Sequence, residues 1–496
     1  MTDSSKPARV RFAPSPTGRI HLGGGRTALY NYLLARQTGG QFILRIEDTD
    51  RSRFVEGAEE ELMAGLRWLG LEWDEGPDVG GPYGPYRQTE RRETYAKYAR
   101  QLVDGGHAYY CFCAAKEDDE PDKEKHARQQ HRDICPSREL DLAEADRRVA
   151  GGEPHVIRFK MPREGTITVT DALRGDITVE NATLDDTILV KSDGLPVYHL
   201  AVVVDDHLMG ITHAIRTSEW LPTFPLHGHI YRAFGWEQPV WIHPSLFLKP
   251  DGKGKMSKRD TEALRASGKP IFLTDFEKMG YLPEAVVNWA ALIGWSYDDK
   301  TEIFSMDELI EKFSIEKLNP APAALNYSKL DHFNGVYIRA LTVDDLAARI
   351  RPFFEEAGYD VSDGEKLRSV AAVLQVRLAK LTDAPAMGGF FFLDEVHPEP
   401  ESLIGKKMTA EGSLEMARRI LALVESLPDF SEETANQPLR DLAAELGLKA
   451  GHVFGFLRNV LTAQKVSPPV FETMEIIGRE KVLERIKKAI GLLEKM

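Results

Sequence analysis

Residues 10–50 have the sequence VRFAPSPTGRIHLGGGRTALYNYLLARQTGGQFILRIEDTD. Val10–Phe12 predicts a short strand, which must end where the prolines and glycine of Ala13–Gly18 follow. Apolar side chains then recur at helical spacing until Gly39-Gly40 ends the helix. A second strand is predicted at Phe42–Ile46. This order makes a βαβ unit, whose ligand site lies beyond the carboxyl ends of the strands.

The rest of the chain changes character twice. Charge-dense and strand-like runs from about 95 to 190 predict an inserted α+β domain. Val202–Val204 and Ala214–Arg216 predict strands of the second half of the sheet, with a helix at Pro225–Phe234. Helical periodicity dominates from about 335 onward, so we expect an α/β part followed by an all-α part.

Composition limits the class of protein. A chain of 496 residues is too long for one hydrophobic core, and 28% charged residues are ordinary for a folded protein. No apolar run approaches the roughly 20 residues that cross a bilayer, and the first residues lack a targeting signal. We therefore expect a cytoplasmic protein with no membrane partner. The net charge of −14 argues against indiscriminate coating of nucleic acid, although local basic stripes can still bind it.

Two segments carry the residue types of a nucleotide site. Pro14–Gly24 places glycines at a helix start, where they let a base and a triphosphate approach the backbone. The helix N-terminus and His21 offer N–H donors to phosphate oxygens. Gly252–Arg259 is a lysine-rich loop suited to the extra charge of a pentavalent phosphate. Alone, each segment is more commonly a glycine-rich turn or a solvated basic loop.

Together the two segments resemble the HIGH and KMSKS motifs of the class I aminoacyl-tRNA synthetases. His21-Leu22-Gly23-Gly24 lacks the final histidine of the first motif, and Arg259 replaces the serine of the second. Both departures are tolerated in the glutamyl branch of the family. Further segments resemble that branch in family order: Arg11–Gly18, Arg45–Asp50, Tyr198, Val203–His207 and Arg216–Trp220.

The resemblance implies an ATP-dependent ligase that activates L-glutamate with Mg²⁺-bound ATP and transfers it to tRNA(Glu). Glutamate carries two carboxylates and one ammonium, so its site needs cations and an anion. By resemblance, the catalytic residues are His21, Lys255 and Lys258. The implied ATP-binding residues are Gly18, His21, Gly23, Gly24, Lys255, Met256, Ser257 and Lys258. The implied glutamate-binding residues are Arg11, Ser15, Glu47, Tyr198, Arg216 and Trp220.

The chain's only three cysteines, Cys111, Cys113 and Cys135, fall in the predicted insertion. Three is too few and too odd a number for a disulfide scaffold. Many relatives bind structural zinc here, but their usual histidine is replaced by Ser137. His131 has the spacing to complete a Cys₃His site. The alternative is that the metal has been lost and three free thiols remain.

The resemblance also implies a division into domains and a way of binding tRNA. Arg377 falls where relatives sense the third anticodon base, although a surface arginine on a helix is the plain alternative. A monomer is the family's habit. An enzyme that also charges tRNA(Gln) remains the alternative within the family. The expected segments are 1–95 and 191–250 for the two halves of a Rossmann-type catalytic domain, 96–190 for an inserted acceptor-end-binding domain, 251–335 for a stem-contact domain with the KMSKS-like loop, and 336–388 and 389–496 for two helical anticodon-binding domains.

Overall fold

The computed structural model of the protein describes residues 7–113, 131–254, 258–464 and 466–496. Helices and strands alternate in the first part of the chain, and helices follow in the second. The strands are β1 (Arg9–Phe12), β2 (Gln41–Leu44), β3 (Ala108–Cys111), β4 (Val156–Phe159), β5 (Thr166–Asp171), β6 (Gly175–Glu180), β7 (Ile188–Val190), β8 (His213–Ile215), β9 (Val240–Ile242), β10 (Phe247–Leu248) and β11 (Ala323–Ala324).

Helices occur along the whole described chain, and the last one ends at Leu493. They are α1 (Leu22–Gln37), α2 (Ala58–Trp68), α3 (Arg92–Asp104), α4 (His131–Ile134), α5 (Leu142–Ala150), α6 (Tyr198–Leu208), α7 (Phe224–Phe234), α8 (Lys258–Ala266), α9 (Leu273–Lys278), α10 (Pro283–Ala291), α11 (Met306–Lys312), α12 (Tyr327–Ala340), α13 (Val343–Glu356), α14 (Gly364–Leu374), α15 (Asp383–Gly388), α16 (Ala410–Ser426), α17 (Glu432–Glu445), α18 (Ala450–Thr462), α19 (Val470–Ile477) and α20 (Arg479–Leu493). No helix in the described part of the chain is both long and apolar enough to cross a membrane.

A mainly parallel sheet organises the first part of the chain. β1 pairs with β2 and β8 pairs with β9, both in parallel. β8 follows on from β1, because the Thr212 N–H donates to the Arg9 carbonyl at 2.9 Å. The predicted βαβ unit is confirmed: α1 connects β1 to β2 and packs against both. This is the mainly parallel sheet that the sequence predicts for the first part of the chain.

The turn between α1 and β2 depends on glycine. Gly39 has a φ of +63°, the left-handed conformation that commonly ends a helix. A Cβ atom at Gly40 would lie 1.9 Å from the carbonyl oxygen of Ala8. Glycine is therefore required where β2 begins beside β1, because any side chain would displace the first strand.

β5 and β6 form a hairpin that adds two strands to the sheet beside β9, in the order β6-β5-β9-β8. β5 pairs in parallel with β9 through Asp171 and Trp241, although its residues fall within the segment 96–190 predicted as an insertion. Its burial alternates, with Ile167 and Val169 inside and the intervening threonines exposed. That alternation is typical of a strand with one solvated face. The hairpin brings Asp171 beneath the end of β9.

A separate antiparallel sheet, in the order β3-β4-β7, forms within the predicted insertion. All four residues of β3 and of β4 are buried. The strand β3 ends at Cys111, opposite Val156 of β4. The insertion therefore has α+β character, with α4 and α5 accompanying this sheet.

The predicted strand at Val202–Val204 is wrong. These valines lie inside helix α6, in which every residue from Leu200 to Asp206 is buried. A helix buried on all sides lacks an amphipathic period, so a run of β-branched residues within it resembles a strand. Tertiary packing outweighs the local β preference of valine here.

The contacts divide the chain into two compact units, residues 1–276 with 283–327 and residues 277–282 with 328–496. In its described part the second unit contains helices and no strand. Side-chain caps begin several of its helices, including Thr342 for α13 and Ser431 for α17. The last helix, α20, buries an apolar stripe that includes Val482, Ile486 and Leu493, in line with the helical periodicity of this region.

Candidate active site

Helix α1 begins with His21 as its N-cap residue. The Nδ1 atom of His21 accepts a hydrogen bond from the Gly23 N–H at 3.1 Å, so the ring proton is on Nε2. Burial lowers the pKa of His21 and keeps the imidazole neutral near pH 7. A neutral Nε2–H beside the unpaired N–H groups of the helix start is suited to donate to a phosphate oxygen.

A cavity of about 860 Å³ opens beyond the carboxyl ends of β1, β2 and β8, where the βαβ pattern predicts a ligand site. Gly18 does not line this cavity; its φ of +135° instead forms the turn that precedes α1. The other predicted ATP and glutamate residues whose side chains are described meet there. Those that line the cavity are Arg11, Ser15, His21, Gly23, Gly24, Glu47, Tyr198, Arg216 and Trp220.

Arg216 follows β8 and is only 5% exposed. Its Nε–H donates to His243 Nε2 at 3.0 Å, and its Nη1 donates to His227 Nδ1 at 2.9 Å and to the Tyr198 hydroxyl at 3.1 Å. Its Nη2 is buried and has no hydrogen-bond partner among the described residues. A buried N–H without an acceptor is costly. Because Arg216 lines the cavity, a ligand carboxylate can supply that acceptor.

A buried ion network lies beside Arg216 and includes Glu47. Asp206 accepts hydrogen bonds from Arg11 Nε at 2.9 Å and from Arg45 Nη1 at 2.8 Å. Arg45 also donates to Glu47 at 3.1 Å. Burial raises the pKa of Glu47 to about 7, although the charges of Arg45 and Arg11 oppose the rise. An ammonium group in the cavity would favour the ionised form of Glu47.

Aromatic rings form one wall of the cavity. Tyr198 and Trp220 stack with their ring centroids 4.2 Å apart and an interplanar angle of 29°. Tyr198 stands at the start of α6, and Trp220 lies in the turn that precedes α7. The hydroxyl of Tyr198 thus accepts from Arg216 while its ring packs on Trp220, so the stack helps to fix the position of that hydroxyl.

The predicted KMSKS-like loop is only partly described. Lys255, Met256 and Ser257 lie outside the described residues. Lys258 begins α8, and its description is limited to the backbone. Thr261, one turn further along α8, lines the cavity. The helix that follows the loop therefore borders the same cavity as His21.

The three cysteines and His131 come together in the insertion. Their ligand atoms all lie within 4.8 Å of one another. The Cys135 sulfur is 3.6 Å from those of Cys111 and Cys113, and His131 Nε2 is 3.4 Å from the Cys111 sulfur. Zn–S bonds of about 2.3 Å in a tetrahedral site place two sulfurs about 3.8 Å apart. The donor set and its spacing therefore fit zinc.

Asp185 holds His131 in this cluster. Its carboxylate accepts the His131 N–H at 2.8 Å and the Arg132 N–H at 3.0 Å, at the start of α4. A hydrogen bond from Cys111 lowers the pKa of the Cys135 thiol, which favours a thiolate. The other histidine between Cys113 and Cys135, His126, lies outside the described residues. Four protein ligands would close the site to substrate, as in structural zinc centres.

Arg377 lies in the helical unit, just after α14. The backbone N–H of Arg377 donates to the Leu374 carbonyl at 2.8 Å, and Arg377 is exposed. The side chain of Gln375 donates to the carbonyls of Ile338 and Leu341, at 3.0 and 2.8 Å. These bonds tie the segment to the end of α12 and leave Arg377 at the surface.

Three residues that hold the arginines of the cavity were not predicted from the sequence. Asp206 belongs to the motif Val203–His207, but its position in a buried helix was not predicted because Val202–Val204 was assigned to a strand. His227 lies in α7 and His243 directly follows β9, and both are fully buried. The position of His243 directly after the apolar run Val240–Ile242 is the one sequence signal that could have identified it. No pattern in the sequence distinguishes His227.

Two domain models of known protein families match most of the chain. The model of the family "tRNA synthetases class I (E and Q), catalytic domain" matches residues 7–332, and an anticodon binding domain model matches residues 345–490. A glutamate–tRNA ligase of Dehalococcoides mccartyi is 45% identical over 492 residues, covering 98% of each chain. One of Chloroflexus aurantiacus is 43% identical over 510 residues, covering 100% of each.

A solved structure resembles the whole chain. It is a glutamate tRNA ligase from Elizabethkingia meningosepticum in complex with its amino acid, with a TM-score of 0.89 and 40% identity. The match covers 98% of this chain and 99% of that one. Nothing in these comparisons supports an enzyme that also charges tRNA(Gln). The chain therefore belongs to the class I aminoacyl-tRNA synthetases, in the family of the glutamate–tRNA ligases.

Proposed function

We propose that the cavity joins L-glutamate to ATP as glutamyl-adenylate and then passes the glutamyl group to the terminal ribose of tRNA(Glu). The observation that carries this assignment is that two features line the same cavity. One is Arg216, whose buried Nη2 has no hydrogen-bond partner among the described residues, and the other is the N-terminus of α1. One feature suits a carboxylate and the other suits phosphates.

Arg216 is suited to the side-chain carboxylate of glutamate. The α-carboxylate must stay accessible to the α-phosphorus of ATP, whereas Arg216 is 5% exposed and packed behind the aromatic stack. Glu47 binds the ammonium, and Arg11 adds positive charge to the same wall. Ser15 contributes a hydroxyl. This division of roles matches each charge of the substrate with an opposite charge of the protein.

In the first step an α-carboxylate oxygen attacks the α-phosphorus. The bond from that phosphorus to the bridging oxygen of the β-phosphate breaks, and pyrophosphate leaves with the electron pair. His21 Nε2–H donates to a phosphate oxygen, and the lysines of the loop, Lys255 and Lys258, offset the charge that grows there. Mg²⁺ bound with ATP supplies further charge neutralisation, and it needs few protein ligands because phosphates and water complete its shell.

In the second step a hydroxyl of the terminal ribose attacks the glutamyl carbonyl carbon. The bond between the carbonyl carbon and the bridging phosphate oxygen breaks, AMP leaves with the electron pair, and a phosphate oxygen of AMP takes up the hydroxyl proton. Because AMP is a good leaving group, positioning supplies most of the rate, and no covalent enzyme intermediate is needed. The insertion, with its β3-β4-β7 sheet, is the expected contact for the acceptor end, and the helical unit, with Arg377, for the anticodon.

The Cys₃His cluster binds one structural Zn²⁺ in this proposal. The support is its donor set, its spacing and the position of Asp185 behind His131. Zinc would tie β3, through Cys111 and Cys113, to the start of α4. The metal would thus stabilise the insertion and take no part in the chemistry.

Aminoacylation with labelled glutamate and purified tRNA(Glu) tests the assignment. Arg216→Gln removes the charge that binds the side-chain carboxylate, and we expect kcat/KM for glutamate to fall about a hundredfold. The KM for ATP should stay within about twofold. Arg36→Gln is the control, because Arg36 pairs with Asp74 at the surface, away from the cavity. Equal activity of the Arg216→Gln and Arg36→Gln enzymes would overturn the proposed site.

A further inference from the structure

Arg216 differs from Arg11, Arg45 and Arg91 in the partners that hold it, whereas Arg26, which also lines the cavity, is held by the backbone carbonyls of Ser245 and Ile293. Arg11 and Arg45 share the carboxylate of Asp206, and Arg91 donates to Asp205 at 2.7 Å. The partners of Arg216 among the described residues are all neutral: two imidazoles, a phenol hydroxyl and the face of Trp241, 4.4 Å from its Cζ. Within the described part of the chain, no carboxylate forms an ion pair with Arg216.

The tautomer of each imidazole is set by the group beyond it. His243 Nδ1–H donates to Asp171 at 2.7 Å, which leaves His243 Nε2 as an acceptor for Arg216. His227 accepts from Arg216 through Nδ1, so its proton is on Nε2 and is donated to His199 Nδ1 at 3.0 Å. Both acceptors therefore point at the guanidinium in fixed orientations.

The imidazoles also stay uncharged. Burial lowers the pKa of His243 to about 4, although Asp171 opposes the shift, and burial with the charge of Arg216 lowers the pKa of His199 to about 4. Burial, reinforced by the charge of Arg216, places the pKa of His227 well below its usual value. All three are neutral near pH 7 and accept hydrogen bonds without altering the charge of the pocket.

We propose that His227 and His243 are positioning residues that set the preference for glutamate over glutamine, because they hold Arg216 through neutral acceptors and leave its charge available to the substrate. This rests on the proposed role of Arg216 as the ligand of the side-chain carboxylate. A carboxylate in either position would orient Arg216 equally well but would cancel its charge. The substrate's own carboxylate would then gain little over the amide of glutamine.

A pair of variants at His227 separates charge from geometry. The Oδ1 atom of asparagine or aspartate reaches the place of the imidazole Nδ1, so His227→Asn and His227→Asp both keep an acceptor for Arg216. The aspartate stays ionised beside a guanidinium. We expect the ratio of kcat/KM for glutamate to that for glutamine to fall about tenfold or more in His227→Asp relative to His227→Asn. Glutamate-dependent and glutamine-dependent ATP–pyrophosphate exchange, with tRNA present, measures the ratio.

A second pair at His243 tests the positioning without adding charge. In His243→Gln the amide oxygen reaches the place of Nε2 and can still accept from Arg216. In His243→Asn the amide reaches only the place of Nδ1, beside Asp171, and the bond to Arg216 is lost. We expect the KM for glutamate to rise about tenfold in His243→Asn and to stay closer to that of the unmodified enzyme in His243→Gln. The KM for ATP should not distinguish them.

Arg216→Gln, measured in the same series, distinguishes failure of the proposed role of Arg216 from failure of the positioning role of the histidines. If Arg216→Gln leaves the KM for glutamate unchanged, the proposed role of Arg216 fails. If Arg216→Gln raises that KM but the members of each histidine pair behave alike, the site stands and the positioning role of the histidines is overturned. An unchanged KM for ATP and an unchanged thermal midpoint show that a variant is folded. If His227→Asp does not fold, the His243 pair still tests whether these histidines position Arg216.

Discussion

Asp206 accepts a hydrogen bond from Arg11 Nε at 2.9 Å, with both side chains almost completely buried. Burial disfavours the charged carboxylate, but the charges of Arg11 and Arg45 lower the pKa of Asp206 below its usual value. The same carboxylate holds Arg45 at 2.8 Å. One anion in a buried helix thus holds two cationic side chains, of which Arg11 lines the proposed glutamate site.

Asp206→Asn should strongly destabilise the protein, because it leaves Arg11 and Arg45 buried with too little negative charge. We expect the free energy of unfolding to fall by about 3–5 kcal/mol. Urea denaturation followed by circular dichroism measures it, with Asp344→Asn as the control, since Asp344 pairs with Arg368 at the surface. A loss below about 1 kcal/mol, the size typical of exposed pairs, would contradict the importance of the network.

Glutamate binding should depend on pH through Glu47. Burial raises its pKa from 4.5 to about 7, so the free enzyme loses the carboxylate charge as the pH falls below 7. We expect the KM for glutamate to rise towards about tenfold per pH unit there, with the KM for ATP as the comparison. In Glu47→Gln the KM for glutamate should be high at all pH values. A pH profile that is identical in the two enzymes would show that Glu47 does not bind the ammonium.

The same pKa predicts the sign of a stability effect. Because the folded pKa of about 7 exceeds the unfolded value of 4.5, the unfolded chain loses this proton first as the pH rises. The contribution of Glu47 to the free energy of unfolding is therefore fully present below pH 4.5 and is lost as the pH rises through 7. Glu47→Gln should remove this slope from denaturation curves measured between pH 5 and 8, and an unchanged slope would point to another group.

The hydroxyl of Tyr198 should affect glutamate more than ATP. Tyr198→Phe removes an acceptor from Arg216 Nη1 but keeps the stack on Trp220 and the bond to His227. We expect a rise of about three- to tenfold in the KM for glutamate. Tyr98→Phe, in the aromatic cluster with Phe234 and Trp236, is the matched control. Equal effects on glutamate and ATP would indicate general damage to the cavity.

The Cys₃His cluster predicts about one zinc ion per chain, measured by plasma mass spectrometry on protein purified without chelator. Cys113→Ser should lower the zinc content and the thermal midpoint by several degrees. Cys113 is the partly exposed cysteine of the cluster, so serine there disturbs packing less than serine at buried Cys111 or Cys135. Metal-free protein with three titratable thiols and an unchanged midpoint in Cys113→Ser would instead support loss of the metal.

Arg377 should contribute to the choice between tRNAs. If it reads the third anticodon base, Arg377→Gln should weaken charging of tRNA(Glu) about tenfold or narrow its advantage over tRNA(Gln). Arg368→Gln, on the exposed face of α14, is the control. Charging of both tRNAs by the two variants measures the effect. If Arg377→Gln behaves like Arg368→Gln, Arg377 is a surface residue with no part in recognition.

Local sequence signals predicted those parts of the site that follow directly from the backbone. Prolines and glycines mark the turn after β1, and the residues that follow β1, β2 and β8 line the cavity because parallel strands end at one edge. The spacing of Cys111, Cys113, His131 and Cys135 predicted a cluster that the structure brings together. These features depend on residues close together in the chain or on a known crossover pattern.

The support beneath the site could not be predicted in the same way. Helix α6 is buried all round, so its valines give no helical period, and the place of Asp206 was lost with it. Arg216 is held by His227, which is 11 residues away, and by His243, which Asp171 orients from 72 residues away. Only the pairing of β5 with β9 places Asp171 there.

Glutamate-dependent ATP–pyrophosphate exchange, with and without tRNA(Glu), tests the proposed chemistry most directly. It should be run on the unmodified enzyme, on Lys258→Ala and on Lys300→Ala, a control at an exposed lysine. We predict exchange that requires glutamate and tRNA, falls about a hundredfold or more in Lys258→Ala and is retained in Lys300→Ala. Folded protein that binds tRNA(Glu) but gives no exchange under either condition would contradict the activation of glutamate in this cavity.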